Sequence, residues 1–343
     1  SAPGNPIGTG PYRFESWRPG DRWTAVRYEG YVPSPEPADG DAGGHVAYID
    51  RVDYLEIPDQ TTRVAALEVG DVDLVQEFPP DLIPRIERNP RIALYDTTAL
   101  RLLGHFNHTR PPFNNVEARR ALVMAYDNEK ALLAAVGDPD FMRLCPSLLQ
   151  CGTQWETSAG SEGLYNAKRV EEAKQIIERL GLKGTKVRLM DPTDRQPAHG
   201  AAQVTREVLE ELGFDVEFQV MDWATMVSRR ADPNLWEFFH TWSGITVRAS
   251  PVGHLLFGEL QYNAWFNKYQ DVPGKQRQLF SQLLRAKTED EMKRLNEEFQ
   301  RYFYEDAIFL QIGEFFGKWG AHVKVKGLHS GAGGQNPYDK WIE

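Results

Sequence analysis

A regular alternation of helical and extended patterns in the middle of the chain constrains its fold most strongly. Residues 167–180 carry one stripe of apolar side chains at helical spacing, with Asn166 as the expected N-cap and Gly181 as the expected end. Strands and helices then alternate, with strands at 186–190, 214–221 and 236–242 and helices at 198–212 and 224–230. This β-α-β-α-β order predicts a parallel sheet with helices packed on it, and therefore the α/β class.

Polar residues lie where the predicted strands end. In open sheets of this class, ligands bind beyond the carboxyl ends of the strands. Asp191 and Asp222 follow two of these ends, and a Thr-Trp-Ser run forms the third. The residues expected to contact a ligand at the third end, and in the loop after it, are Thr241, Trp242, Ser243 and Arg248. The alternatives are core packing for Trp242 and a plain surface position for Arg248.

The flanking segments predict smaller elements. A hairpin is expected for 12–17 and 23–28, because the turn pair Pro19-Gly20 separates two alternating segments. Thr288 and Glu291 form a capping box that predicts a helix from 288 to about 304. The remaining expected elements are strands at 49–57 and 71–75, helices at 61–69 and 274–286, and extended structure from 307 onward.

The net charge of the chain narrows the classes of macromolecule that it could bind. The net charge is −10, with 39 Lys and Arg against 49 Asp and Glu, so we do not expect a nucleic-acid partner. No apolar stretch reaches the ~20 residues that span a bilayer.

Cys145 and Cys151 share one loop and are expected either to form a disulfide in an oxidising compartment or to be two unrelated buried thiols. No further Cys or nearby His completes a metal site around them.

Candidate motifs for nucleotide, metal or catalytic sites do not have the required spacing. Gly8-Thr9-Gly10 lacks the third glycine and the preceding strand of a dinucleotide fingerprint. His105 and His108 are three residues apart on an extended segment, so their side chains point to opposite sides. No nucleophile motif is present. We therefore expect no cofactor, no metal and no enzymatic activity, with a hydrolase as the alternative if two carboxylates meet only in the fold.

Several motifs, in their order and spacing, resemble the extracellular solute-binding proteins of family 5, the peptide, nickel and opine receptors of ABC importers. They are the Gly-Thr-Gly-Pro-Tyr turn at 8–12, the Leu-x-x-Gly-x-x-Asp pattern of Leu67, Gly70 and Asp73, and the pattern of Pro112, Phe113, Arg119, Ala121, Ala125 and Asp127. The resemblance covers nearly the whole chain. Relative to such proteins the chain is similar to the C-terminal portion, without the N-terminal third.

The resemblance implies a periplasmic-binding-protein-like fold of type II with two lobes. Residues 1–103, completed by 308–343, would form part of lobe I, and 104–307 would form lobe II. The protein would bind a small polar solute between the lobes and deliver it to the transmembrane subunits of an ABC permease. It would be a periplasmic or extracellular monomer with its signal peptide removed, with or without a lipid anchor. The crossing between lobes adds Arg101, His105 and Asn107 to the expected ligand contacts.

One departure from the family pattern bears on the ligand. Peptide-binding members commonly carry an Asp shortly after the residue that matches Trp242, whereas no acid lies between Trp242 and Pro251 here. A buried ammonium without a carboxylate is costly, so an opine, a sugar derivative or an organic acid is as well supported as a peptide. Arg248 would pair with an anionic group of such a solute. A sensor or chaperone that keeps the fold without transport is a third interpretation.

Overall fold

The computed structural model describes residues 6–38, 43–76, 78, 80–244, 251, 275–328 and 336–343. Arg248 therefore lies outside the described residues. The chain divides into two compact units, Ser1–Thr98 with Phe316–Glu343 as unit 1 and Ala99–Phe315 as unit 2. Residues 99–103 and 308–315 are grouped with the central segment, whereas the sequence analysis assigned them to the first lobe. That these two units correspond to the two expected lobes remains a prediction.

Unit 1 begins with the expected hairpin. Strands β1 (Tyr12–Arg18) and β2 (Arg22–Arg27) pair antiparallel, and β3 (Arg51–Leu55) pairs with β2. Gly20 forms the turn with φ +76°, a backbone conformation that suits glycine. Trp23 on β2 lies with its ring centroid 4.7 Å from that of Tyr54 on β3. The hairpin prediction is therefore confirmed.

A second sheet of unit 1 combines distant segments of the chain. Its strand order is β4-β12-β5, and β12 pairs antiparallel with both neighbours. Trp319 on β12 stacks on Tyr95 of β5 at 4.3 Å. The other elements of this unit are α1 (Gln60–Val69), β4 (Leu74–Val75), a 3-10 turn (Pro80–Leu82), α2 (Ile83–Ile86), β5 (Ile92–Asp96), β12 (Lys318–His322), β13 (Val325–Lys326) and β14 (Trp341–Ile342).

Unit 2 is built on one six-stranded sheet of order β7-β11-β6-β10-β8-β9. Its strands are β6 (Leu100–Phe106), β7 (Met142–Arg143), β8 (Lys186–Pro192), β9 (Asp215–Met221), β10 (Phe238–Gly244) and β11 (Leu310–Phe315). Strands β8, β9 and β10 are parallel, as predicted. Strand β6 runs antiparallel to β10 and to β11, so the whole sheet is mixed rather than parallel.

Helices cover both faces of this sheet. Helix α6 lies against the main apolar core, whereas Met226 of α7 belongs to a separate cluster with Met190, Trp236 and Phe239. The helices of unit 2 are α3 (Val116–Ala125), α4 (Asn128–Val136), α5 (Val170–Arg179), α6 (Gln196–Glu211), α7 (Trp223–Arg229), α8 (Lys275–Leu283) and α9 (Glu289–Asp306), with a 3-10 turn at Pro139–Phe141. All five elements predicted for 186–242 are confirmed in type and order.

One predicted helix cap is wrong. Asn166 does not cap α5, which begins at Val170, and its backbone has a φ of +48°. Its side chain instead accepts the N–H of Asn128 at 3.1 Å, and the side chain of Asn128 accepts the N–H of Asn166 at 2.9 Å. Asn tolerates this left-handed conformation better than most residues, so the tertiary pairing replaces the cap.

The residues of the Pro-Phe motif have structural roles. Phe113 is wholly buried, and Asp127 caps α4 by accepting the N–H of Lys130 at 2.9 Å. The Arg119 guanidinium donates to the carbonyl oxygens of Phe113, Asp306 and Ala307. The motif therefore fixes α3 against the end of α9 and caps the start of α4.

Candidate functional site

The carboxyl ends of three parallel strands meet at one edge of the unit 2 sheet. Strand β8 ends at Pro192, β9 at Met221 and β10 at Gly244, with β8 in the middle. The edge also includes the start of β6 and the end of β11, because Leu100 pairs with both Gly244 and Phe315. We call this the strand-end edge, and it is the place where open α/β sheets bind ligands.

The register of β6 and β10 places several expected contacts on one face of the sheet. Ser243 pairs with Arg101, and Phe239 pairs with His105. Directly opposed residues of an antiparallel pair share a face, and side chains two apart on a strand share it too. Thr241, Ser243, Arg101 and His105 are therefore on the same face, and Trp242 is on the other.

Trp242 contacts a second tryptophan at the strand-end edge. The rings of Trp242 and Trp223 stack with centroids 5.0 Å apart and an interplanar angle of 23°. Trp223 is the first residue of α7, whose N-cap Asp222 follows β9 directly. Both rings are partly exposed. They form an aromatic surface suited to the apolar part of a solute.

Arg230 adds a positive charge beside this surface. Its guanidinium carbon lies 5.8 Å from the Trp223 ring centroid, and burial lowers its pKa to about 10. Sequence reasoning missed both Trp223 and Arg230. The available signal for Trp223 was its position directly after Asp222, at the end of a predicted strand.

Ser243 has the most unusual environment of the expected contacts. Its Oγ atom is buried and has no hydrogen-bond partner within the described part of the chain. Native proteins pair nearly all buried polar side-chain atoms with protein or water, because an unpaired hydroxyl costs free energy. The hydroxyl lies on the penultimate residue of β10, at the strand-end edge.

Arg101 is wholly buried beside Ser243. Burial lowers the pKa of its guanidinium to about 10, and the nearby Glu314 opposes that shift. Glu314 pairs with Arg101 across β6 and β11 and is also buried. The strand-end edge therefore carries a hydroxyl, a guanidinium and a carboxylate on three adjacent strands.

His105 and Asn107 do not lie at this edge. His105 is near the other end of β6, where it stacks on Phe239 at 5.1 Å, and burial lowers its pKa to about 3. Asn107 follows β6, and its amide donates to the carbonyl oxygens of Pro233 and Trp236, each at 2.7 Å. Asn107 thus joins backbone segments at the opposite end of the strands.

The strand-end edge of β8 carries an aspartate–histidine pair. Nδ1 of His199 lies 2.9 Å from each carboxylate oxygen of Asp191, which is wholly buried. Burial raises the pKa of Asp191, although the hydrogen bond from His199 acts in the opposite direction. The partner of this carboxyl group is an imidazole rather than a second carboxylate. The geometry adds no support to the hydrolase alternative.

The two cysteines form a disulfide. Cys145 and Cys151 are bonded, and no other cysteine occurs in the sequence. The Glu314 carboxylate lies close to both sulfur atoms, within a cluster no wider than 4.8 Å. Because the sulfurs are already bonded to each other, this cluster offers one carboxylate rather than a set of metal ligands.

No helix in the described ranges combines the length and the apolar character needed to cross a bilayer.

A family model matches most of the chain. The model for bacterial extracellular solute-binding proteins, family 5 Middle, matches residues 1–264. A probable peptide ABC transporter periplasmic-binding protein of Sinorhizobium fredii is 32% identical over 90% of this chain and 60% of its own length. The oligopeptide-binding protein AppA of Bacillus subtilis is 23% identical over 76% of this chain and 48% of its own length. The chain thus spans about half to three fifths of these relatives.

Solved structures share the fold. A binding protein of Agrobacterium tumefaciens in complex with agropinic acid superposes with a TM-score of 0.76, at 20% identity, over 97% of this chain and 67% of that one. The Helicobacter pylori protein DppA in complex with the peptide STSA gives 0.77 at 19% identity, over 99% and 64%. At this identity the likeness identifies the fold, which is the expected periplasmic-binding-protein-like α/β fold.

Proposed function

We propose, because the chain belongs to family 5 of the bacterial extracellular solute-binding proteins, that it is the solute-binding component of an ABC import system. It binds a small polar solute and delivers it to the transmembrane subunits of a permease. It carries out no chemistry on the solute. It acts as a monomer in the periplasm or outside the cell, with or without a lipid anchor, and the named relative of Sinorhizobium fredii supports this location.

The solute contacts the strand-end edge of unit 2 in this proposal. The single observation that carries it is the buried Ser243 hydroxyl, which has no partner among the described residues and lies where sheets of this class bind ligands. Thr241 and Arg101 share its face. The stacked pair of Trp223 and Trp242 supplies an aromatic wall at the same edge.

The solute is a peptide, an opine, a sugar derivative or an organic acid. Of the four relatives and structures described above, three are named for peptides or a bound peptide and one for agropinic acid. The absence of an acid between Trp242 and Pro251 weakens the case for a free α-ammonium group. Arg248 remains an expected contact for an anionic group.

Native mass spectrometry of the protein as purified tests this proposal directly. We expect a retained solute, seen as a mass above that of the bare chain that disappears on mild activation. A thermal-shift screen over peptides, opines, sugars and organic acids then identifies a stabilising ligand, because a ligand bound only to the native state raises Tm. No retained mass and no Tm shift with any class would contradict the proposal.

Substitution of Ser243 by Ala separates solute binding from folding. We expect affinity for the identified solute to fall about tenfold, because one hydrogen bond is lost. We expect Tm to stay the same or rise slightly, because the native hydroxyl has no described partner to lose. Ser147→Ala is the matched control, since the Ser147 hydroxyl accepts from Leu149 N and Thr157 N and its loss should lower Tm. Unchanged affinity in Ser243→Ala would remove Ser243 from the site.

A further inference from the structure

An aspartate and a histidine at the strand-end edge form a pair that the proposed solute contacts do not use. Asp191 is the penultimate residue of β8, the middle one of the three parallel strands, and His199 is the fourth residue of α6. The Asp191 side chain is wholly buried, whereas the His199 side chain is 30% exposed. We call these two residues the acid–imidazole pair. It has one end in the protein interior and the other accessible at the edge.

The acid–imidazole pair lies close to the aromatic surface. The connection between β8 and α6 contains Asp194, whose carboxylate accepts the N–H of Trp223 at 2.7 Å. Trp223 in turn stacks on Trp242. The segment that joins the two members of the pair is therefore hydrogen-bonded to the residue that begins the aromatic surface.

The hydrogen bond within the pair fixes which nitrogen of the imidazole carries the proton. Nδ1 of His199 lies 2.9 Å from each carboxylate oxygen of Asp191. An ionised carboxylate can only accept hydrogen bonds, so Nδ1 is the donor, and Nε2 of the neutral imidazole is then an acceptor. Among the residues that the structure describes, Nε2 has no hydrogen-bond partner. The pair therefore presents one acceptor, with a buried carboxylate behind it.

The carboxylate of Asp191 has no permanently charged partner in the described ranges. Its ion pair is with His199, which is positive only when it is protonated. A buried carboxylate is costly unless a positive charge balances it, and burial accordingly raises the pKa of Asp191. A proton on Nε2 of His199 supplies that charge, and so does an ammonium group that donates to Nε2. The proton and the ammonium group compete for the same lone pair.

We propose that the acid–imidazole pair binds a protonated amine of the solute, with Nε2 of His199 as the acceptor and Asp191 as a positioning residue. The amine donates one N–H to Nε2, while the carboxylate holds the imidazole in the accepting tautomer and balances the positive charge. The pair thus supplies a counter-charge that is missing between Trp242 and Pro251. A peptide or another solute with a protonated amine fits this contact, whereas a sugar derivative or an organic acid without an amine does not. This inference rests on the proposed function.

The tautomer of His199 is measured without any solute. In protein with isotopically labelled histidine nitrogens, two-bond nitrogen–proton correlation spectra distinguish an imidazole protonated on Nδ1 from one protonated on Nε2. The His199 signals are those that disappear in His199→Gln. At pH 8, above the pKa of about 6.5 of an unperturbed histidine, we expect the Nδ1–H tautomer. The Nε2–H tautomer would overturn the inference, whether or not any probe binds.

Binding at the same pH is compared for three probes that differ in where they carry an amine. They are the peptide Ser-Thr-Ser-Ala, its N-acetyl form, and N-acetyl-Ser-Thr-Lys-Ala, in which only the lysine side chain carries an amine. We expect acetylation to lower affinity at least about tenfold, because a charge-assisted hydrogen bond is lost. Both outcomes with the lysine probe support the inference: recovered affinity identifies a side-chain ammonium as sufficient, and no recovery identifies the α-ammonium as the group that binds.

Three variants test whether the preference for the amine depends on the pair. His199→Gln keeps an N–H donor for Asp191 but removes the imidazole acceptor. Asp191→Asn removes the negative charge and provides an amide that donates to Nδ1, which leaves the proton on Nε2. We expect the preference to fall below about twofold in both variants. Asp194→Asn is the matched control, because it removes a carboxylate from the same edge and keeps the oxygen that accepts the Trp223 N–H.

The control should keep the full preference for the amine. Equal preference in the parent and in His199→Gln, or an equal loss in Asp194→Asn, would overturn the inference while leaving the proposed function standing.

The solute retained by the purified protein gives a test that does not depend on the choice of probe. We expect the released solute to contain an amine, detected as an increase in its mass on reductive methylation. A retained solute without an amine would overturn the inference and support the proposed function. If no solute is retained and no probe binds, the proposed function fails and this inference fails with it.

Discussion

The guanidinium of Arg119 closes the end of α9. It is almost fully buried and donates to the carbonyl oxygens of Asp306, at 2.7 Å, and Ala307, at 3.1 Å. These are groups that a helix end leaves without intrahelical partners. We expect Arg119→Ala to lower the free energy of unfolding by about 3 kcal/mol, because several charge-assisted hydrogen bonds are lost together.

Urea denaturation measures this loss. The neighbour Arg120 is the control, since it is less buried and makes one such bond, to the carbonyl oxygen of Glu305 at 3.0 Å. Arg120→Ala should change stability by well under 1 kcal/mol. Equal losses in the two variants would show that the buried network around Arg119 is not what stabilises this helix end.

Two buried histidines make stability depend on pH. Burial lowers the pKa of His105 and of His240 to about 3 each. In the unfolded chain a histidine has a pKa of about 6.5, so below that pH the unfolded state binds protons that the native state does not. Stability is therefore full above pH ~6.5 and falls as the pH drops toward 3, by up to about 1.4 kcal/mol per pH unit for each group.

The His240→Gln variant isolates one of these contributions. His240 lies between the Leu103 carbonyl oxygen, at 3.2 Å, and the Thr205 hydroxyl, at 2.8 Å, so its loss lowers stability at every pH. The informative quantity is the slope of unfolding free energy against pH between 6.5 and 5, which should be smaller than in the parent. His322→Gln serves as the control. An unchanged slope in His240→Gln would contradict the proton linkage.

At the level of single residues, the sequence predicted where the candidate ligand contacts lie better than it predicted which groups surround them. Thr241, Trp242 and Ser243 lie at the expected strand end, because strand ends follow from local pattern. Other features of the site depend on residues that are far apart in the chain. They are the burial of the Ser243 hydroxyl, the stacking of Trp223 on Trp242 and the hydrogen bond from Cys151 to Glu314. A single sequence carries no pattern for such contacts.

At the level of elements, helices α4 and α6 approach each other with no room for a side chain at Gly200. A Cβ built there would lie 2.1 Å from the backbone oxygen of Ala134, a group that cannot move aside alone. We expect Gly200→Ala to destabilise the protein by about 2 kcal/mol, although Ala favours a helix over Gly by about 1 kcal/mol. Thermal unfolding measures this, with Gln203→Ala on the same helix as control. A rise in Tm for Gly200→Ala would refute the close packing.

The spacing of apolar residues correctly predicted the helices and strands that are joined by short connections. Strands β8, β9 and β10 and helices α6 and α7 follow one another directly, and each was expected within a few residues of its bounds. The position of β6 between β10 and β11 was not expected, since β6 and β11 are separated along the chain by most of unit 2. Pairing over such distances depends on the assembled core and not on local propensity.

For the whole molecule, the two units differ in how the chain builds them. Unit 2 is continuous and contains its entire six-stranded sheet and main core, whereas unit 1 joins the two ends of the chain. We expect a fragment of residues 99–315 to fold, with a single cooperative transition in near-ultraviolet circular dichroism. Residues 1–98 alone should not, because the sheet of β4 and β5 lacks its middle strand. A cooperative transition in the shorter fragment would contradict this.

The position of β12 between β4 and β5 also sets an order of assembly. A ribosome delivers β4 and β5 long before it delivers residues 318–322, with all of unit 2 made in between. Until then, both strands expose edges that invite pairing with other chains. The finished sheet is therefore a late event that follows the synthesis of all of unit 2, and until then the two open strand edges must be kept from pairing with other chains.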